Sequence, residues 1–264
     1  MNKRSALLPW LSHLSLDFAC LQESHITSSA ECDCWFSSRG FLSVVLPGSI
    51  HFCGSAILYR RIYSLVKSWT DDGGRFVMAE FSPHHIVFRI VSLYALNRNP
   101  ERDDFFSFVS TKIDPSVPTL LCGDCNAVFD RAMDRRSVNV SDLSRESCGS
   151  LLSLFRDCAV VDIWRSLHPS TVAFSWLRPD GSLSSRIDLI GCPYPWVHLV
   201  RSCDLLPCPF SDHSAVVLSI PIPEPIPRGP GRWKLNVSIL FEESFGVGVR
   251  SFWERWRARK SSFF

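Results

Sequence analysis

The sequence predicts an α/β fold built on a mixed sheet or on two packed sheets, and three observations carry that reading. Apolar runs of strand length alternate with amphipathic stretches of helical length along most of the chain. Two of the runs, 75–81 and 86–96, are separated only by Ser82-Pro83-His84-His85 and read as a hairpin, so the sheet is not purely parallel. Of the 264 residues, 46% are apolar and 20% charged, which are globular proportions and exclude disorder across the chain.

The elements follow in order. Leu7, Leu8, Leu11 and Leu14 recur at helical spacing and predict a helix over 4–14. Asn2-Lys3-Arg4 ahead of Ala6-Leu7-Leu8 resembles the opening of a secretory signal. His13 and Asp17 break the apolar run, however, and no small-residue cleavage site follows, so the segment reads as part of the fold. Residues 17–23 form a buried strand that ends on polar residues, and 54–63 form another. Asp71-Asp72-Gly73-Gly74 is a turn, not a calcium loop, because no spaced ligands follow. His84-His85 sits at the tip of the hairpin and is expected in solvent. Pro100 starts a helix over 101–113, with Phe105, Phe106 and Val109 on one face. A short strand over 119–122 runs into Gly123-Asp124. Leu151, Leu152 and Phe155 predict a helix over 145–158, and strands follow over 173–177, 186–192, 197–205 and 213–222. Asp180-Gly181 marks a tight turn.

Residues 221–230 hold five prolines, a linker composition. The organisation read from this is a domain over 1–222, a Pro/Gly linker over 223–236 and a basic helix over 237–264. Lys and Arg number 28 and Asp and Glu 26, a net charge of +2, which excludes a protein that coats polyanions through bulk charge. The charge is uneven: 228–264 carries eight basic and three acidic residues, so the body before it is slightly acidic. In the terminal helix Phe252, Trp253 and Trp256 fall on one face beside Arg250, Arg255, Arg257, Arg259 and Lys260. That face reads first as packing, and second as a nucleic-acid contact in which Arg meets phosphate and Trp stacks on a base. Eleven cysteines, several inside apolar runs, fit free thiols in a reducing compartment, nucleus or cytoplasm. No run approaches the 18 uninterrupted apolar residues of a membrane span. Cys122-Gly123-Asp124-Cys125 has redox-motif spacing but lacks the expected N-terminal βαβ context, and Cys32, Cys34, Cys203 and Cys208 lack the paired spacing of a zinc site.

Polar residues gather where strands end: Glu23, Tyr94 and Asn97, Asp124 and Asn126, Asp188, and Ser211-Asp212-His213. Taken singly, an Asp or Asn at a strand end is most often a turn former. Asp188 differs, because a carboxylate between Ile187 and Leu189 in a buried strand needs a partner. Together these residue types suit metal-assisted phosphodiester hydrolysis. Glu23, Asp124 and Asp212 offer hard oxygen ligands for Mg²⁺ or Mn²⁺. His213 held by Asp188 can donate to a phosphate or help activate water, with Asn126 and Tyr94 orienting the reactants.

The set, in this order, resembles the endonuclease/exonuclease/phosphatase superfamily, and within it the apurinic-type endonuclease domain of LINE-type non-LTR retrotransposons. The matching pieces are Leu21-Gln22-Glu23-Ser24-His25, Ser92-Leu93-Tyr94-Ala95-Leu96-Asn97, Gly123-Asp124-Cys125-Asn126, the stretch 174–179, Ser185-Arg186-Ile187-Asp188 and Ser211-Asp212-His213. Gly229-Pro230-Gly231-Arg232-Trp233-Lys234-Leu235-Asn236 is similar to the segment that joins nuclease to polymerase in such elements. The resemblance implies a four-layer α/β/β/α sandwich of two packed mixed β-sheets flanked by helices. It implies Glu23 and Asp212 as ligands of Mg²⁺ or Mn²⁺. Asp124 and Asn126 would handle the attacking water, Tyr94 the scissile phosphate, and Asp188 would hold His213 against the phosphorane. Ser175, Arg186 and Ser211 would contact phosphate or DNA. Relatives carry one more strand, ending in an Asn-rich turn just ahead of the helix at 4–14, and the chain as given starts at Met1, after that point. The expected function is single-strand nicking of DNA without an obligate protein partner and without a membrane. The alternative is an inactive remnant that binds nucleic acid weakly.

Overall fold

A computed structural model describes residues 3–26, 28–48, 54–83, 86–138, 148–222 and 242–260. The His84-His85 tip, positions 145–147 of the helix predicted over 145–158, the linker over 223–236 and positions 237–241 lie outside the described residues. The chain divides into two units, Met1–Glu224 and Pro225–Phe264, each taken by itself.

In the first unit α1 (Lys3–His13) leads to β1 (Phe18–Leu21). Then come α2 (Ser29–Phe36), β2 (Phe41–Leu46), β3 (Ser55–Arg60), β4 (Leu65–Thr70), β5 (Phe76–Phe81) and β6 (Phe88–Tyr94). Helix α3 (Asn99–Lys112) crosses to β7 (Thr119–Asp124), followed by short α4 (Arg131–Asp134) and β8 (Arg135–Ser137). Next are α5 (Gly149–Asp157), β9 (Val160–Asp162), α6 (Ile163–Leu167), β10 (Trp176–Leu177) and β11 (Leu183–Ser185). The unit closes with β12 (Asp188–Pro193), β13 (Ser202–Pro207) and β14 (Ser214–Ser219). In the second unit α7 (Glu243–Lys260) carries Trp253 and Trp256 as a stacked pair with ring centroids 5.0 Å apart.

The central sheet runs β4-β5-β6-β7-β12-β9. β6 and β7 are parallel, joined through α3, and every other neighbouring pair is antiparallel. The inner strands β5, β6, β7 and β12 are covered on both faces, which explains why they read as apolar runs. In β5, Phe76 and Met78 face one core with Phe105, Phe106, Leu151 and Phe155, while Val77 and Ala79 face the other with Ile57 and Trp164. Each fully buried Phe or Leu contributes about 1.5–3 kcal/mol. A third core joins α1 and α2 to the outer face of the second layer through Leu11, Cys32, Phe36, Phe41 and Leu58. The layers are therefore α3 and α5, the six-stranded sheet, a second strand layer, and α1 with α2: the predicted α/β/β/α sandwich.

The second layer departs from the expectation of one mixed sheet. It consists of two antiparallel pieces, β1-β3-β2 and β13-β14. The strand predicted over 197–205 is also corrected. Residues Tyr194–Leu199 form a 3-10 helix and the strand begins at Ser202, because Pro195 lies in the first turn with its φ already helical.

Candidate active site

The register of the central sheet builds the site. Tyr94 at the end of β6 is the partner of Asp124 at the end of parallel β7, and Asp124 is the partner of Asp188 at the start of antiparallel β12. Three chemically useful side chains thus end in one row across three adjacent strands. Gly123 makes the row possible. Its φ is +147°, and a Cβ there would lie 1.9 Å from the Leu93 backbone oxygen, so no other residue fits between β6 and the turn into Asp124.

His213 stands just ahead of β14, and its Nδ1 pairs with Asp188 Oδ2 at 2.8 Å. Ligand atoms of Asp124, Asp188 and His213 all lie within 4.8 Å of one another. Asp124 is buried. Burial, then the charge of Asp188, pushes its carboxyl up to about 7, against the backbone N–H of Asn126 and the charge of His213, which pull it down. Burial works to lower the His213 imidazole. The hydrogen bond and charge of Asp188, with Asp124 and Asp212 behind them, outweigh it and hold the imidazole at about 9.

Around this cluster two residues adopt the left-handed backbone that side chains avoid, Glu23 at φ 49° and Asn126 at φ 45°. The Tyr94 hydroxyl donates to Glu23 Oε1. Arg75 braces Tyr94, lying 4.8 Å over its ring and donating to its backbone oxygen. Asn126 donates from its backbone to Asp124 Oδ1 at 2.8 Å and from Nδ2 to the Ala95 oxygen at 2.9 Å. Arg102, buried on α3, donates to the Asn126 backbone oxygen at 2.5 Å. Glu23, Tyr94, Asp124, Asn126, Asp188, Ser211, Asp212 and His213 all line one groove of about 1700 Å³.

The remaining expected residues have other surroundings. Asp212 accepts from Trp176 Nε1 at 2.9 Å and stands outside the tight trio. Ser211 is exposed and accepts from the His213 backbone N–H at 3.1 Å. Ser175 is wholly buried, and its hydroxyl accepts from the N–H groups of both Ile187 and Asp188 at 3.0 Å. It fixes the backbone of Asp188. Arg186 has protein partners as well. Only 1% exposed, it donates to Asp134 at 2.8 and 3.0 Å and to Asp162 at 2.6 Å, while Arg165 closes the cluster onto Asp134 at 2.5 Å. The guanidinium is engaged by carboxylates of α4 and β9. Asp134, Asp162, Arg165, Arg102 and Arg75 are the supporting residues that motif spacing did not reveal. Cys122 and Cys125 are free thiols. A hydrogen bond to Cys20 and burial raise Cys122, and burial raises Cys125, both well above the ordinary thiol range.

The site fits a hard divalent cation. Asp124 and Asp188 are crowded carboxylates whose mutual repulsion a cation would relieve, and Glu23 offers a third oxygen donor at the same groove.

A four-layer sandwich with an acidic row and a carboxylate-held histidine at the strand ends defines a phosphoesterase type of site. The family model described as the Endonuclease/Exonuclease/phosphatase family matches residues 1–213, and the chain belongs to that family. It is 30% identical over 267 residues to the "Transposon TX1 uncharacterized 149 kDa protein" of Xenopus laevis, covering 97% of this chain and 20% of that protein. The chain thus spans about a fifth of that curated relative. Among solved structures it is similar to an AP endonuclease from Archaeoglobus fulgidus, with TM-score 0.67, 17% identity, and 83% of this chain and 94% of that one covered. It is similar also to a 3′ phosphatase, NExo, from Neisseria bound to product DNA hairpin, with TM-score 0.68, 16% identity, and 84% and 95% covered. These likenesses establish the shared fold. Among the described residues, no helix is long and apolar enough to cross a membrane.

Proposed function

We propose that the chain is a Mg²⁺- or Mn²⁺-dependent DNA endonuclease of a retrotransposon, nicking one strand of DNA inside the cell and leaving a 3′-hydroxyl to prime reverse transcription. The observation that carries this reading is the cross-strand row Tyr94–Asp124–Asp188 with His213 paired to its end. Asp188 fixes the His213 ring through Nδ1 and leaves Nε2 to meet a phosphoryl oxygen. Held at about 9, the imidazole is protonated at neutral pH and donates to that oxygen. Asp124, at about 7, exchanges a proton with the attacking water or the leaving group near neutrality. Asn126 holds Asp124 through its backbone N–H, and Tyr94 orients Glu23. Glu23 and Asp212 would hold the cation at the same groove, leaving Asp124 to handle the proton and Asp188 to hold His213. When bound, it neutralises charge that develops on the phosphoryl oxygens. Ser211 lines the same groove and is the remaining candidate for phosphate contact.

The test is nicking of supercoiled plasmid by the purified chain with Mg²⁺, against EDTA and against His213→Ala and Asp124→Asn. Each substitution is expected to cost on the order of 10²-fold or more. Equal nicking by wild type and both variants would overturn the reading. Salt-sensitive DNA binding with no Mg²⁺-dependent cleavage would favour the weak-binding remnant, a reading motivated by the divided second strand layer.

A further inference from the structure

We propose that Cys20 and Cys122 form a modification site, a thiol pair that hydrogen peroxide converts to a reversible disulfide tying β1 to β7 beside the acidic cluster. β1 faces two ways. Ala19 and Leu21 pack into the outer core with α1 and α2, while Phe18 and Cys20 pack into the core between the two strand layers. Gln22 continues the inward row, donating from Nε2 to Ser92 Oγ of β6 at 2.9 Å. Ser92 is the register partner of Cys122 on parallel β7, so Cys122 faces the same space between the layers. There the two thiols meet in a hydrogen bond. Both are free and half-buried. Cys192 and Cys203 belong to the same core but are buried.

Two thiols in contact are set for stepwise oxidation. The thiolate of one cysteine attacks peroxide: an S–O bond forms, the O–O bond breaks, and the hydroxide takes up the thiol proton and leaves as water. The second thiol then attacks the sulfenic sulfur. An S–S bond forms, the S–O bond breaks, and the second proton leaves with hydroxide as another water. The pair gives up two electrons and two protons, and one peroxide becomes two waters. Because the neighbouring thiol captures the sulfenic acid before it oxidises further, a dithiol reductant restores both thiols. The position of the pair gives the bond its effect. Glu23 stands three residues after Cys20, and Asp124 two residues after Cys122. β1 and β7 belong to different sheets, so no ladder hydrogen bonds fix their spacing. A covalent bond is shorter than a thiol contact, so closing it draws β1 toward β7 and moves Glu23 against Asp124. A displacement of about 1 Å at a reacting centre costs on the order of 10²-fold in rate. That effect rests on the nicking function proposed above, whereas formation of the bond does not.

The experiment treats the reduced 264-residue chain with hydrogen peroxide, alkylates the remaining thiols and maps linked peptides by mass. One linked pair is expected, Cys20 with Cys122, and dithiothreitol removes it. Plasmid nicking falls by about 100-fold as the link forms and returns with the reductant. In Cys20→Ser the link is absent and nicking survives peroxide. Absence of the link at a peroxide level that already oxidises the exposed Cys34 would overturn the proposal. So would a link from either thiol to Cys192 or Cys203, a fully formed link that leaves nicking unchanged, or equal loss of nicking in Cys20→Ser. Because the peptide map uses the unaltered chain, it decides the site even if Cys20→Ser misfolds. A reduced chain that does not nick sinks the nuclease reading, while the linked peptides still decide the disulfide.

Discussion

Asp124 and Asp188 face each other as cross-strand partners at the ends of β7 and β12, and only one of them holds a histidine. The pair is thereby made unequal. Asp188 is matched by the His213 imidazole at 2.8 Å, while Asp124, buried beside that charge, holds its proton up to about 7. Two like groups whose surroundings push them apart can serve as base and anchor in one reaction.

Asp188→Asn is expected to release His213. In metal-free protein followed by NMR, the wild-type imidazole loses its proton near 9, and in the variant the midpoint falls toward the ordinary value of 6.5. The sign for stability follows. Folded His213 binds its proton more tightly than unfolded His213, so the pair adds stability that is complete below about 6.5 and is lost as pH rises through about 9. An unmoved midpoint in Asp188→Asn would contradict the assignment.

Asp134→Ala should be among the most damaging substitutions away from the groove. It leaves the buried Arg186 guanidinium without its main partner, a loss of about 3–5 kcal/mol. Burial works to raise the Asp134 carboxyl, but Arg186 and Arg165 hold it below the usual carboxylate range. Its contribution is therefore present above the ordinary carboxylate value and is lost as pH falls through the lower folded value. Urea denaturation of wild type and variant across acid pH checks this: the gap between them closes as the pH falls.

Arg102→Met tests whether α3 positions the site. The change removes the donor to the Asn126 oxygen and costs about 1.5–3 kcal/mol. If Arg102 positions Asn126, kcat for nicking falls while KM holds, and Arg102→Lys recovers part of it. A change in unfolding midpoint with kcat intact would mean the bond serves stability alone.

Gly123→Ala should fail to give folded protein at 37 °C, since the new methyl would occupy the place of the Leu93 carbonyl. Circular dichroism at 10 and 37 °C reads this directly, and a wild-type melting curve would refute it.

The layers were legible in the sequence because the central strands are apolar on both faces and α3 has Pro100 at its start. The residues gathered at the candidate site were legible for a related reason. Glu23, Tyr94, Asp124, Asp188 and His213 are polar groups at the margins of apolar runs, where backbone geometry leaves few places to go. Ser175 and Arg186 look the same in sequence, yet one lies under the site and the other in the core. Position along a strand does not say which face the neighbouring loop covers. Asp134 and Arg102 gave no signal, since one reads as a loop acid and the other as a solvated helix residue. Their partners lie 52 and 24 residues away. Strands β2, β4, β8, β9 and β11 and helices α2, α4 and α6 were also missed.

The parallel pairing of β6 with β7 through α3 has a consequence in time. The cluster gathers Glu23 and His213, nearly the whole first unit apart, and the long crossover brings its two middle members side by side. Contacts of such sequence separation form late in folding. During synthesis the chain emerges from its N-terminus, and His213 follows only after every strand of the central sheet. A nascent chain short of β14 holds acidic residues but no assembled centre. On the proposed function, an unfinished chain cuts no nucleic acid before β14 has joined.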